Sequence, residues 1–261
     1  MIRQSSHKKQ FLKLAEGIIS IDPPWISDEA KITMKREIAK SLYSVARYSS
    51  KMGLHIELHD LPEIRINDDD PFYKGDCVAF YSNRTIYIKN AYWPNRRVLA
   101  HEFFHFHQDR YGILNEYRSH PEQSFTEGGA EFFSMSYVAR HHHGAKRIGE
   151  ITSGLRTEIN FVALYSQFRQ LEESDRIRFL NTALGLGKYI GDSQEKYRDG
   201  AKFAFMSYAL NGFRTKRTIK GFLEHNKDGL VANLASQQSS LSGRVNDFIG
   251  LLRRYPGLHD G

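Results

Sequence analysis

The sequence has little cysteine and no long hydrophobic run. Its 261 residues include a single cysteine, Cys77, which excludes an intrachain disulfide framework and favours a reducing compartment. No stretch approaches the roughly 18 uninterrupted apolar residues that a membrane span needs. Lys13 and Glu16 interrupt the apolar residues near the start, which is not typical of a signal peptide. We therefore expect a soluble, cytoplasmic protein without a transmembrane segment.

Acidic residues are fewer than basic residues. The chain has 37 Lys and Arg against 30 Asp and Glu, a formal net charge of +7, which raises the hypothesis of nucleic-acid binding. The basic residues are scattered, and the densest stretch, FRTKRTIK at 213–220, is interpreted as a solvated helix face. Zinc-finger, basic-zipper and RNA-recognition signatures are missing, which argues against a nucleic-acid partner. A basic nucleic-acid-binding protein with an incidental histidine pair remains a rival hypothesis.

Hydrophobic spacing predicts the order of elements. A long helix should begin at a cap on Ser27 and stop near Gly53, followed by a strand over 54–60. A hairpin turning near 82–84 leads to two helices separated by a loop, and the pattern beyond residue 146 is almost wholly helical. This order predicts an α+β fold with a small mixed sheet. The predicted parts are an N-terminal extension, an α+β lobe and an all-helical C-terminal lobe, over 1–26, 27–145 and 146–261.

The stretch LAHEFFHFHQ carries the chemistry. His101 and His105 are four residues apart, so on a helix they lie on one face and can bind one zinc ion. Glu102 is then beside the metal without binding it, and can take a proton from a zinc-bound water. This is the His-Glu-x-x-His signature.

A catalytic zinc site with an open position needs a third protein ligand. A histidine six residues after His105 would supply it, but Tyr111 occupies that position. The following helix, TEGGAEFF, offers Glu127 and Glu131. We favour Glu127, because the small residues after it would let the two helices approach closely. Glu131 would then accept a hydrogen bond from His101 and fix its tautomer.

These motifs resemble the gluzincin metallopeptidases, the group of thermolysin and the zinc aminopeptidases, and above all minimal members with HExxHxxQ…EGxAxY/F. The resemblance covers residues 84–140 well. It implies a zincin-like core, one zinc ion held by His101, His105 and Glu127, and Glu102 as the base. It also implies that the strand RTIYIKN pairs its edge with an extended peptide or protein substrate. The matching positions are His101, Glu102, His105, Gln108, Glu127, Gly128, Ala130 and Phe132.

The resemblance further implies a tyrosine or histidine of the helical lobe that stabilises the oxyanion. Tyr197, at the start of a Tyr-x-x-Gly motif, aligns with the aminopeptidase tyrosine, and Tyr208 and His225 are alternatives. The chain lacks the Gly-x-Met-Glu-Asn stretch that grips a free amino terminus, which argues against aminopeptidase activity. The predicted function is zinc-dependent hydrolysis of peptide bonds by a water that Glu102 activates. The alternative is a catalytically weak zinc-binding regulatory or interaction protein with a zincin fold.

Overall fold

The computed structural model describes residues 2–69, 73, 77–93, 95–114, 120–141, 171–183, 195–211 and 214–236. The chain has two compact units, Met1–His107 and Gln108–Gly261. The first unit mixes helices with a small sheet, and the described residues of the second are mostly helical. The predicted α+β class is confirmed. The predicted boundaries at 26 and 145 stay predictions, and residues 145 and 146 lie outside the described residues.

The helices of the first unit are α1, Ile2–Gly17, and α2, Asp28–Lys51, and most of α3, Arg96–Arg110, also belongs to this unit. Helix α2 forms as predicted: the Ser27 hydroxyl accepts a hydrogen bond from the Ala30 N–H at 3.3 Å, which caps its first turn. Gly53, with φ of +88°, follows its end. The residues predicted to share its buried face do so; they are Met34, Ile38, Leu42 and Val45.

Among the described residues, four short strands form one mixed sheet. They are β1, Ile19–Ile21; β2, Glu63–Ile66; β3, Ala79–Ser82; and β4, Thr85–Ile88. In the order β1-β2-β4-β3, the first two pairings are parallel and the β4–β3 pairing is antiparallel. Strand β4, the RTIYIKN strand, is therefore flanked on both sides. The expectation that its edge pairs with a substrate is wrong, because its backbone already bonds to β2 and β3.

The predicted hairpin is confirmed, and the predicted strand over 54–60 is wrong. Asn83 and Arg84, with φ of 47° and 61°, form the two-residue turn between β3 and β4. Burial does alternate from Leu54 onward, but Leu54–Glu57 joins no ladder and Leu58–Asp60 is a 3-10 helix. The alternation reflects packing after the end of α2, where the Leu54 N–H donates to the Ser49 carbonyl.

The described elements of the second unit beyond residue 170 are helices. Helix α4 begins at His120, before the predicted start near residue 126, because Pro121 suits a first helical turn. Three phenylalanines from different helices pack together: Phe125 lies 5.0 Å from Phe222 and 6.1 Å from Phe203, centroid to centroid. The helices are α4, His120–His141; α5, Glu173–Ala183; α6, Glu195–Leu210; α7, Thr215–Glu224; and α8, Lys227–Ser236.

Among the described residues, no helix combines the length and the apolar character needed to cross a membrane.

Candidate metal centre

Helix α3 carries the two histidines of the signature. Its start is capped by Asn95, whose side-chain oxygen accepts hydrogen bonds from the N–H groups of Arg97 and Val98 at 3.0 and 3.2 Å. The phenylalanines of the motif are fully buried, as predicted; they are Phe103, Phe104 and Phe106. The cap and the buried aromatic surface both stabilise the helix that carries the two histidines.

His101 and His105 lie one turn apart and face each other. Their Nε2 atoms are 3.2 Å apart, and their ring planes are inclined by 77°. Both side chains are almost fully buried, with 9% and 7% of their surface exposed. The two Nε2 atoms therefore lie close enough together to share one proton or one bound ion.

Glu127 of α4 completes a group with these histidines. The three ligand atoms all lie within 4.8 Å of one another, and the group could hold a metal ion. In the part of the chain that the structure describes, no other set of three or more His, Cys, Asp or Glu side chains meets this criterion. Glu131, one turn further along α4, is outside the group and half-buried. Its hydrogen bond to His101 stays a prediction.

Glu102 is buried beside the group without belonging to it. Only 7% of its surface is exposed, and it directly follows His101 on α3. A buried carboxylate that directly follows a potential metal ligand, and is itself outside the group, matches the placement expected of the base. Its catalytic role stays a prediction.

Gln108 fixes the turn that carries the third donor. Its side chain is fully buried, and its Nε2 atom donates to the carbonyl oxygen of Thr126 at 3.0 Å. Thr126 immediately precedes Glu127 on α4. Gln108 therefore helps to position Glu127. The sequence signal for this residue was its place in the HExxHxxQ motif.

Gly128 serves a different contact from the one expected. A Cβ added to Gly128 would lie 2.8 Å from the Cα of Gly200, and one added to Gly200 would lie 2.7 Å from the nitrogen of Gly128. Helices α4 and α6 therefore cross backbone against backbone at the turn of Glu127. Gly128 provides close approach to α6, whereas the sequence reasoning assigned its small size to an approach to the motif helix.

The three candidates for the oxyanion-stabilising residue lie in different places. Tyr197 is in the first turn of α6, three residues before Gly200, and its side chain is outside the described part. Tyr208 lies further along α6. Its ring centroid is 5.1 Å from that of Phe132, and its side chain is hydrogen-bonded to Thr215. Burial raises the pKa of its hydroxyl above the usual value of 10.0, and the bond to Thr215 offsets part of that shift. His225 follows α7 and lines a separate cavity.

His107 anchors α3 to α2 on the inner side of the first unit. It is 1% exposed, and its Nε2 atom lies 2.6 Å from the Ser49 hydroxyl oxygen. The Ser49 hydroxyl donates its proton to the Leu54 carbonyl at 3.1 Å, so its oxygen is free to accept from His107. The contact between His107 and Ser49 ties the motif helix to α2.

The centre therefore combines three potential metal ligands, an adjacent buried carboxylate and an amide that positions the third ligand. Its ligands come from α3 and α4, which follow each other in the chain. No protein-family model, curated protein or solved structure matches this chain.

Proposed function

We propose that this chain is a zinc-dependent peptidase of the gluzincin type with a zincin-like core. His101, His105 and Glu127 would hold one zinc ion, and Glu102 would be the general base. The observation that carries the proposal is the buried group whose ligand atoms lie within 4.8 Å of one another. Two imidazoles and a glutamate are the protein ligands of one class of catalytic zinc site, in which a fourth position is left to water or substrate.

The histidine geometry supports zinc as the ion. Two nitrogens bound to tetrahedral zinc at about 2.0–2.1 Å lie about 3.3–3.4 Å from each other. The Nε2 atoms of His101 and His105 are 3.2 Å apart. The spacing of the pair therefore matches that of two zinc ligands, and a rotation of the Glu127 side chain would bring in the third.

The proposed chemistry divides between the ion and the protein. A bound zinc ion supplies Lewis acidity, which acidifies a water and polarises a carbonyl group. Glu102 accepts a proton from the attacking water and passes it to the amine that leaves the cleaved peptide. Tyr197 is the proposed hydroxyl donor to the oxyanion, on the helix whose Gly200 packs against Gly128. The substrate is a peptide or protein.

Metal analysis combined with hydrolysis of a mixed peptide library tests the proposal. The parent should hold one zinc per chain and cleave some of the peptides. Glu102→Gln should keep the zinc and lose about 10²–10⁴-fold in rate, because only the base is removed. Glu127→Gln should lose the zinc. Glu131→Gln, changed one turn away on the same helix, should still bind zinc, with an affinity lowered about 10–100-fold if it supports His101.

Three results would contradict parts of the proposal. Hydrolysis that survives in Glu102→Gln removes that residue from the role of base. Zinc bound by Glu127→Gln as tightly as by the parent shows that the third ligand is wrong. A parent that holds zinc but cleaves no peptide identifies a zinc-binding regulatory or interaction protein instead.

A further inference from the structure

The second unit contains a cavity that shares no residue with the metal group. Its volume is about 440 Å³, and it is formed by α7, α8 and the residues that flank them. That volume lies within the range of about 300–1,000 Å³ typical of small-molecule sites. Its polar and charged lining includes Arg214, Lys216, Arg217, Lys220, Glu224 and Asn233.

The lining is strongly cationic. It holds two arginines and two lysines against one carboxylate, that of Glu224, so three formal positive charges are in excess. Glu224 pairs with Lys220 at 3.0 Å. Among the described residues, Arg214, Lys216 and Arg217 are exposed and form no ion pair. In the segment interpreted from sequence as a solvated helix face, these three basic residues are exposed, whereas Thr218 and Ile219 are buried, and the segment also borders a concave site.

The remaining lining suits an anion better than an apolar molecule. Leu230 is the sole aliphatic side chain among the lining residues. It packs against Gly221, where an added Cβ would lie 3.0 Å from the Cδ1 atom of Leu230. The first turn of α7 contains no acidic residue, and Arg214 before it makes no side-chain cap. The C-terminal end of α7, with Glu224 and His225, also lines the cavity, so the excess of positive charge comes from the side chains.

We propose that this cavity binds a small molecule that carries two or more phosphate groups. One phosphate group carries about −1.5 to −2 charges at pH 7, so two groups balance the excess of three positive charges. Arg214 and Arg217 supply the planar forks that bind phosphate oxygens in pairs. The cations surround a single pocket, which fits a compact ligand better than an extended nucleic-acid backbone. The described lining residues include no Phe, Tyr or Trp ring on which a base could stack.

Calorimetric titration of the full chain with inorganic pyrophosphate tests this proposal. The chain is first freed of metal with a chelator, which is then removed, so that pyrophosphate cannot bind through an ion at the metal group. Binding should occur with one pyrophosphate per chain and weaken as salt is added. Arg214→Gln with Arg217→Gln should lower the affinity at least about tenfold, since charge-assisted hydrogen bonds are lost.

The control removes the same charge elsewhere. Lys9→Gln with Lys13→Gln alters two exposed lysines of α1 and should change the affinity less than about twofold. An equal loss in the two double variants would overturn the site, because only net charge would then matter. No binding by the parent would also overturn it. A single-stranded oligonucleotide that binds through Arg214 and Arg217 while pyrophosphate does not would identify a nucleic-acid surface instead.

Discussion

Gly128 of α4 and Gly200 of α6 touch through their main chains, with no room for a side chain on either residue. The contact lies one residue after Glu127, the third potential metal ligand. The position of this carboxylate is therefore set partly by how the helices of the second unit pack. The stability of that packing and the affinity for metal should change together.

Gly128→Ala should destabilise the protein and weaken metal binding. Its methyl group would overlap the backbone of Gly200, and overpacking of this kind costs about 1–3 kcal/mol. Thermal unfolding and zinc titration measure the two effects. Gly17→Ala is the matched control, since a Cβ there meets no atom within 4 Å. An unchanged melting temperature in Gly128→Ala would show that the helices do not cross so closely.

Gln108→Met should lower zinc affinity by about 10–100-fold, the usual cost of removing a residue that orients a ligand. The methionine keeps the length and the burial of the side chain but loses the amide that donates to the Thr126 carbonyl. Competition with a chromophoric chelator measures the affinity. Gln10→Met, at an exposed position on α1, should have no effect. Equal affinities in the two variants would remove Gln108 from its positioning role.

Ser49→Ala should lower the free energy of unfolding by about 1–3 kcal/mol, because it removes the hydroxyl that partners a buried imidazole nitrogen of His107. The neighbouring Ser50→Ala is the control. Ser50 also lies within hydrogen-bond distance of a histidine, His55, at 3.2 Å, but that pair is exposed and water replaces the lost contact. Urea unfolding measures both. Equal losses of unfolding free energy in the two variants would show that the buried bond stabilises the protein no more than the exposed one.

Tyr208→Phe should make the protein less sensitive to alkali. Burial raises the pKa of the folded Tyr208 hydroxyl above its unfolded value, so its neutral form favours the folded state. This contribution is complete below about pH 10 and is lost as pH rises through the higher folded pKa. Urea unfolding from pH 8 upward should therefore show a shallower alkaline decline in Tyr208→Phe. Tyr92→Phe, at an exposed tyrosine, should keep the parent's slope.

Features with a local cause could be predicted from the sequence. Helix α2 follows from its apolar period and the cap on Ser27, and the hairpin follows from the polar turn between two apolar runs. The spacing of His101 and His105 likewise places both imidazoles on one face, because four residues are close to one helical turn. Each of these signals is contained within a few neighbouring residues.

Features that depend on distant partners could not be predicted. The three residues of β1 are too few for a period, and they form a strand because β2, more than forty residues later, pairs with them. In the stretch from Leu54 to Leu58, burial alternates as it would in a strand, but none of the described strands pairs with it. The sequence shows that the segment 214–220 is basic. The cavity that this segment borders could not be predicted, because it arises from the packing of α7 on α8.

The consecutive order of α3 and α4 has a consequence for how the protein is made. All three potential ligands leave the ribosome within one short stretch, from His101 to Glu127, well before the cationic pocket has been synthesised. The entropy lost in closing a loop grows only with the logarithm of its length, so drawing these ligands together in the nascent chain is inexpensive. An ion captured at that moment would link the two helices early and give the later ones a ready surface on which to fold.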